Sequence, residues 1–311
     1  MAKILITESV HPIGPELLTA AGHTVVYADR DMDVIRREIV DADAVLVRII
    51  ELPGSLLATA KNLKIVSKHG VGYDNIDLDY CKKAGVAVTI TPNANSLSVA
   101  EHAFTLMLTL AKNVIPVSNE YRSIGFAAKN HAPGIEMTGK TLGLIGMGRI
   151  GKHILHMCRD GLDMHVIVYD PYITEVPAGV EKVDDLSELL RRADVVTLHC
   201  LLTEETRKLI NRERLALMKP TALLINCARG PIVDETALIE ALENGRLAGA
   251  GLDVTDPEPV APDSPLFKLP NVIVTPHYAP TTVESATRVS KIAAENISAV
   301  LAGKEPVGRI V

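Results

Sequence analysis

The chain of 311 residues has no tryptophan, three phenylalanines and seven tyrosines, so its core has to be built from aliphatic side chains. Cysteine is scarce too. Cys81, Cys158, Cys200 and Cys227 are widely spaced, form no C-x-x-C pair and have no partner histidines at zinc-finger spacing. That argues against a disulfide framework or a metal site and fits reduced thiols in the cytoplasm. No basic block stands anywhere, and acidic residues outnumber basic ones by 38 to 32. Nothing here could neutralise a run of phosphates, so no nucleic-acid partner is expected. Long apolar runs are missing as well. The most apolar stretch, Leu97 to Ala111, is broken by Glu101 and His102 and falls short of the ~20 residues that span a bilayer. The start, Met1 to Glu8, lacks the apolar stretch of a secretory leader and reads as a first strand. No membrane association is expected.

What is present is an alternation of short β-branched runs with longer amphipathic stretches, the pattern of parallel strands joined by crossover helices. The fold class is α/β. Candidate strands in the first third are Lys3 to Ile6, Thr24 to Tyr27, Ala44 to Val47, Leu63 to Val66 and Val86 to Thr89. A second set follows: Thr141 to Ile145, His165 to Tyr169, Val195 to Leu198, Ala222 to Ile225, Gly249 to Asp253 and Val272 to Thr275. Two sets imply two sheets. Between them Leu97 to Asn113 suits a helix buried on most sides at a domain junction. A last helical pattern, Val283 to Leu301, has no strand after it. At ~150 residues per domain the length agrees with two domains.

Gly146-Met147-Gly148-Arg149-Ile150-Gly151 is a G-x-G-x-x-G sequence between a strand and a helix-like run, Arg149 to Arg159. Gly146 permits the tight turn, Gly148 lets backbone N–H groups approach a diphosphate, and Gly151 allows close packing of helix on strand. The helix N-terminus adds partial positive charge. Nineteen residues after Gly151, at the end of the next strand, stands Asp170, placed to accept hydrogen bonds from a ribose and to repel a 2′-phosphate. The cofactor expected is NAD.

Open α/β sheets bind ligands beyond the carboxyl ends of their strands. Three polar residues follow late strands: Arg229, Glu258 in Asp256-Pro257-Glu258-Pro259, and His277 after Thr275-Pro276. Oxidising a secondary alcohol needs a base for the hydroxyl proton and a cation for the substrate carboxylate. His277 and Arg229 are of those types, and Glu258 suits the carboxylate that stabilises an imidazolium and fixes its tautomer. Asp253 either bonds a nicotinamide carboxamide or stabilises the adjoining turn.

At these residues the sequence resembles the D-isomer-specific 2-hydroxyacid dehydrogenases, nearest the 3-phosphoglycerate dehydrogenase branch. The resemblance covers most of the chain through Gly70 to Asp77, Thr91 to His102, Gly146 to Gly151, Asn226 to Gly230, Gly251 to Pro259 and Thr275 to His277. It implies two doubly wound parallel-sheet domains, one Rossmann-like and one flavodoxin-like. The NAD domain, residues 99–284, is inserted in a substrate domain made of residues 1–98 and 285–311. It also implies a homodimer and a catalytic trio of Arg229, Glu258 and His277. By the same resemblance Arg149, Ile150, Asp170, Cys200, Cys227, Ala228, Arg229, Asp253, His277 and Pro280 join the three glycines in lining the NAD site. Gly70, Val71, Gly72 and Ser96 lie at the substrate carboxylate, and Arg48 and Lys68 are candidates for a distal anion on the substrate or for solvated surface charge.

Some positions depart from the branch. Lys68-His69 stands where Arg-Ala is common, Ile49 replaces a Ser, Phe126 stands near a common Trp, Leu201 replaces a Pro, and Tyr278-Ala279-Pro280 replaces a Gly-containing turn. These bear on the substrate, which is 3-phosphoglycerate, glycerate with hydroxypyruvate, or a related acid. Formate oxidation is disfavoured, since those enzymes carry Gln where Glu258 stands. With the chain reaching only Val311, serine feedback through a C-terminal regulatory domain is not expected. The alternative is a non-catalytic NAD(H)-sensing binding protein of the corepressor type, which resembles the same family.

Overall fold

The computed structural model describes residues 1–311 and divides into two compact units, Met1–Asn95 with Pro280–Val311, and Ser96–Ala279. The first is built on five parallel strands: β1 (Lys3–Ile6), β2 (Thr24–Tyr27), β3 (Ala44–Val47), β4 (Ile65–Lys68) and β5 (Ala87–Thr89), in the order β2-β1-β3-β4-β5. Strands β3 and β4 are buried at every position, as expected of parallel strands covered on both faces. The helix Val283–Leu301 returns to this sheet. Its Ala293, Ala294 and Ile297 pack with Ile4, Ile6, Leu46 and Ile65, and its Ala293 carbonyl accepts from Ser67 Oγ at 3.0 Å. The chain end then pairs with β5, through an antiparallel bridge of Thr89 with Arg309.

The second unit holds seven parallel strands: β6 (Thr141–Ile145), β7 (His165–Tyr169), β8 (Val180–Lys182), β9 (Val195–Leu198), β10 (Leu223–Asn226), β11 (Gly249–Leu252) and β12 (Val272–Val274). Their order is β12-β11-β10-β9-β6-β7-β8, so the direction of winding reverses between β6 and β9. That reversal is the topological switch point, where doubly wound sheets open a crevice for a nucleotide. Aliphatic clusters fill both faces, one around Val196, Leu198 and Leu224, the other around Leu144, Ile154, Val168 and Met107. No helix in the chain is long and apolar enough to cross a membrane.

The sequence expectations needed three adjustments. Strand β4 runs two residues later than expected, through Ser67 and Lys68, because both polar side chains find partners inside the fold. The helix expected from Leu97 to Asn113 spans Ser96–Ala111, ending two residues early; it exposes Leu97, Glu101 and Thr105 along one stripe and is buried or half-buried at its other positions, which agrees with a helix buried on most sides. Strand β8 and the helix Val114–Ile124 were not anticipated. The first is a three-residue edge strand with no fully buried position, and the second has no buried residue at all.

Candidate active site

Strand β6 ends at Ile145 and the helix Arg149–Leu162 begins three residues after Gly146, with Gly148 at its N-cap and no side chain covering the first turn. The orphan N–H groups of that turn form a ready anion site. A methyl on Gly151 would come within 2.2 Å of the Gly146 carbonyl oxygen, and one on Gly146 within 2.8 Å of Cys200 N, whereas one on Gly148 would meet nothing within 4 Å. Two glycines therefore close the loop against strand and helix, and the third leaves open space where a ligand's diphosphate would lie. Arg149 is exposed and Ile150 half-buried in the first helical turn. Asp170 follows β7. Its Oδ2 accepts from Met147 N at 2.9 Å and its Oδ1 from Tyr172 N at 3.0 Å, so the carboxylate braces the glycine loop and keeps free lone pairs. These residues fit a dinucleotide.

Arg229, Glu258 and His277 follow β10, β11 and β12, three strands adjacent in the sheet. Nδ1 of His277 lies 2.7 Å from Glu258 Oε1. A carboxylate only accepts, so Nδ1 carries the proton and Nε2 is left to exchange one. Both side chains are about one-third exposed. His277 has φ +53°, a conformation that costs a non-glycine residue about 1–3 kcal/mol unless its surroundings impose it.

Asp253 imposes it. The residue is 1% exposed; its carbonyl accepts from His277 N at 2.8 Å. Its Oδ1 accepts from Thr275 Oγ1 and Tyr278 N at 2.5 and 2.7 Å, and its Oδ2 from Ala279 N at 2.9 Å. Of the two roles left open by the sequence, the turn is the one its carboxylate visibly serves, and the turn is that of His277 rather than the Pro-Glu-Pro segment.

Gly230 draws the Arg229 and Glu258 loops together, since a methyl there would stand 1.9 Å from the Thr255 carbonyl oxygen. Asn226 reinforces the first loop, donating to Arg229 O and accepting from Ala228 N, each at 3.0 Å. Glu235 reinforces the second by accepting from Asp256 N at 3.0 Å. Arg229 Nη1 donates to Ala228 O at 2.7 Å. Gly230, Glu235, Asn226 and Thr275 escape a sequence reading that looks only for chemically reactive types. For Gly230, Asn226 and Thr275 the signal is closeness in sequence to Arg229 and His277; Glu235 meets Asp256 across 21 positions and has no such signal. Cys200 and Cys227, at the ends of β9 and β10, are thiols that burial pushes up, Cys200 to about 11.

The remaining expected residues belong to the first unit, apart from Ser96, which opens the helix Ser96–Ala111, and Pro280 begins the return of the chain to that unit. Neither Val71 N nor Gly72 N donates a hydrogen bond within the chain. Just ahead of them the Gly70 carbonyl is fixed by Thr91 N and Thr91 Oγ1 at 2.8 and 3.1 Å. Lys68 is not a solvated surface charge. It is 8% exposed, and its ammonium donates to Asn75 Oδ1 at 2.5 Å and to the Arg48 carbonyl. The cause is local, since β3 and β4 end side by side and their outgoing loops need a common donor. Arg48 donates from Nη1 to Ser9 O at 3.0 Å, while the backbone N–H groups of Arg48 and Ile49 converge on the buried Glu8 carboxylate at 2.7 and 3.0 Å. His69 Nε2 is buried without a partner, and burial with the nearby Arg48 charge lowers its pKa to about 3.

Comparison with known proteins gives a consistent result. The family model described as D-isomer specific 2-hydroxyacid dehydrogenase, NAD binding domain, matches residues 104–279. D-3-phosphoglycerate dehydrogenase of Methanocaldococcus jannaschii is 42% identical over 98% of this chain and 58% of its own length. Glyoxylate reductase of Thermofilum pendens is 37% identical, over 98% of this chain and 93% of its own. Among solved structures, D-lactate dehydrogenase of Aquifex aeolicus, complexed with NAD and lactic acid, superimposes with a TM-score of 0.86 at 32% identity, covering 96% of each chain. The chain spans just over half the length of the first phosphoglycerate dehydrogenases it matches, 58% and 56%.

Proposed function

Because the chain belongs to the D-isomer-specific 2-hydroxyacid dehydrogenase family, we propose that it interconverts a D-2-hydroxy acid and its 2-oxo acid with NAD as redox partner. The observation that carries this reading is the His277–Glu258 pair, 2.7 Å apart at the carboxyl edge of the sheet that also bears the glycine loop. When bound, NAD supplies or accepts the hydride. The first-turn N–H groups after Gly148 would hold its diphosphate and Asp170 its ribose, with Cys200, Cys227, Ala228 and the His277 turn bordering the ring.

The chain's own groups do the rest. Glu258 keeps the proton of His277 on Nδ1, so Nε2 accepts the hydroxyl proton during oxidation and returns it to the carbonyl oxygen during reduction. Arg229 supplies a permanent cation whose planar fork matches a carboxylate and steadies charge developing on the reacting oxygen. In the first unit the two unclaimed N–H groups of Val71 and Gly72 suit a carboxylate and Arg48 is assigned to the substrate with them; in the second, Ser96 has that assignment. Lys68 acts on substrate through the loops it clamps. The substrate is 3-phosphoglycerate, glycerate or a related small acid.

We also assign a homodimer. The exposed helix Val114–Ile124 and the segment after it present Val114, Ile115, Tyr121, Ile124 and Phe126 to solvent, an apolar stripe of the kind a second subunit covers. Four unpaired thiols suit a reducing cytoplasm.

The test is NADH consumption with glyoxylate, hydroxypyruvate, 3-phosphohydroxypyruvate and pyruvate. At least one should be reduced, and His277→Ala should lower kcat on that substrate by roughly 10²–10⁴-fold. NADH binding without turnover of any 2-oxo acid would overturn the enzyme reading in favour of a binding protein.

A further inference from the structure

One polar side chain in the helix Ser96–Ala111 faces the strand ends. His102 Nε2 lies 3.0 Å from Thr275 Oγ1 and 3.5 Å from Asp253 Oδ1, and its ring meets that of Tyr278 edge-on, centroids 6.1 Å apart at 63°. The direction of these bonds follows from proton counting. Thr275 has one hydroxyl proton, and the carboxylate 2.5 Å away can only accept it. The hydroxyl oxygen must then accept from the imidazole, so His102 Nε2 carries a proton. A donor chain runs from His102 through Thr275 to Asp253, and Asp253 in turn receives the backbone N–H groups of His277, Tyr278 and Ala279.

We propose that His102 is a positioning residue of this reaction, holding the left-handed turn of His277 through Thr275 and Asp253. The geometry gives it two grips. Its proton fixes the Thr275 hydroxyl, so Oδ1 of Asp253 keeps the orientation in which it meets Tyr278 N. Its ring edge packs against the side chain next in sequence to His277. Without both, the 277–279 turn can relax toward an ordinary conformation and carry the imidazole away from the reacting oxygen. Misplacing a reacting group by about 1 Å costs as much as 10²-fold in rate. The inference rests on the assignment of His277 as acid and base, but its effect on the turn can be read without any turnover.

His102→Leu removes the donor and keeps the helix. It should lower kcat about tenfold or more on the best 2-oxo acid while leaving the NADH dissociation constant and the midpoint of the kcat–pH profile in place, because the His277–Glu258 pair is untouched. His102→Gln, whose amide nitrogen reaches a similar point, should recover most of the rate. Thr275→Val combined with His102→Leu should be no worse than the poorer single variant, since both break one chain. Independently of activity, amide exchange at Tyr278 and Ala279 should quicken in His102→Leu. Unchanged kcat per folded molecule, a moved pH midpoint, multiplicative losses in the double variant, or unaltered exchange would each overturn the proposal. A wild type that binds NADH and reduces nothing yet shows faster exchange in His102→Leu would leave the turn assignment standing and sink only the enzyme reading.

Discussion

Gly230 approaches Thr255 so closely that its missing side chain is the condition for the contact: a methyl there would lie 1.9 Å from the Thr255 oxygen and 2.9 Å from Asp256 N. The obstacle on the far side is backbone, which cannot swing away as a flexible side chain can. Two loops, one bearing Arg229 and the other Glu258, are in this way fixed to each other.

Gly230→Ala should therefore cripple activity out of proportion to its size. The loops must part by more than 1 Å, so kcat/KM should fall by about 10²-fold or more, with a smaller loss of stability. Steady-state kinetics beside a thermal melt would show it, and near-normal kcat/KM in a folded Gly230→Ala protein would mean that the two loops work independently.

Glu258→Gln keeps the size of the side chain, but its amide can either accept from His277 Nδ1 or donate to it, so the tautomer with Nε2 free to exchange a proton is no longer fixed. The turnover rate should fall by about tenfold or more, with NADH affinity nearly unchanged. Wild-type kcat in Glu258→Gln would remove Glu258 from the proton chemistry.

Asp170 both braces the glycine loop through Met147 N and offers its charge to a ribose. Two variants separate these effects. Asp170→Asn retains an acceptor for the loop and loses the charge, so NADPH use should rise with little loss of NADH binding; Asp170→Ala should weaken both cofactors while relaxing the choice between them. Should the wild type already use NADPH as readily as NADH, the role given to this carboxylate would fail.

His199, directly after β9, is half-buried; its Nε2 lies 2.8 Å from Thr197 Oγ1, its buried Nδ1 has no partner, and burial lowers its pKa from 6.5 to about 3. Below pH 6.5 the unfolded chain takes up a proton here that the folded chain refuses until near pH 3. Stability must fall as pH drops through that window, by at most about 1.4 kcal/mol per unit from this residue. Between pH 7 and pH 5, urea unfolding should lose about 2 kcal/mol more in wild type than in His199→Gln; equal losses would contradict the assignment.

Much of this architecture was readable from the chain because buried parallel strands are short continuous apolar runs. Lys3–Ile6, Ala44–Val47, Thr141–Ile145 and Val195–Leu198 announce themselves, and the G-x-G-x-x-G sequence between β6 and its helix marks the switch point. Arg229, Glu258 and His277 were legible as polar residues directly after strands. The edge strand Val180–Lys182 and the solvent-facing helix Val114–Ile124 were not, since neither buries enough apolar surface to leave a periodic pattern. Nor was the supporting cast. The ammonium of Lys68 could be known as a buried clamp only once β3 and β4 were side by side, and His102 meets Thr275 across 173 positions of sequence.

The helix Val283–Leu301 has one more consequence, which lies in the order of synthesis. It covers the face of the first sheet that carries Ile4, Ile6, Leu46 and Ile65, yet 184 residues, Ser96 to Ala279, are made between β5 and the return of the chain. At about 5–20 residues per second, that face waits on the order of ten to forty seconds on the ribosome before its cover exists. The inserted unit owns both of its hydrophobic clusters and has no such wait. Chains ending at Ala279 and released from the ribosome should therefore hold a protease-resistant second unit and a cleavable first one, and a chaperone that binds aliphatic surface would find its target in β1 to β5.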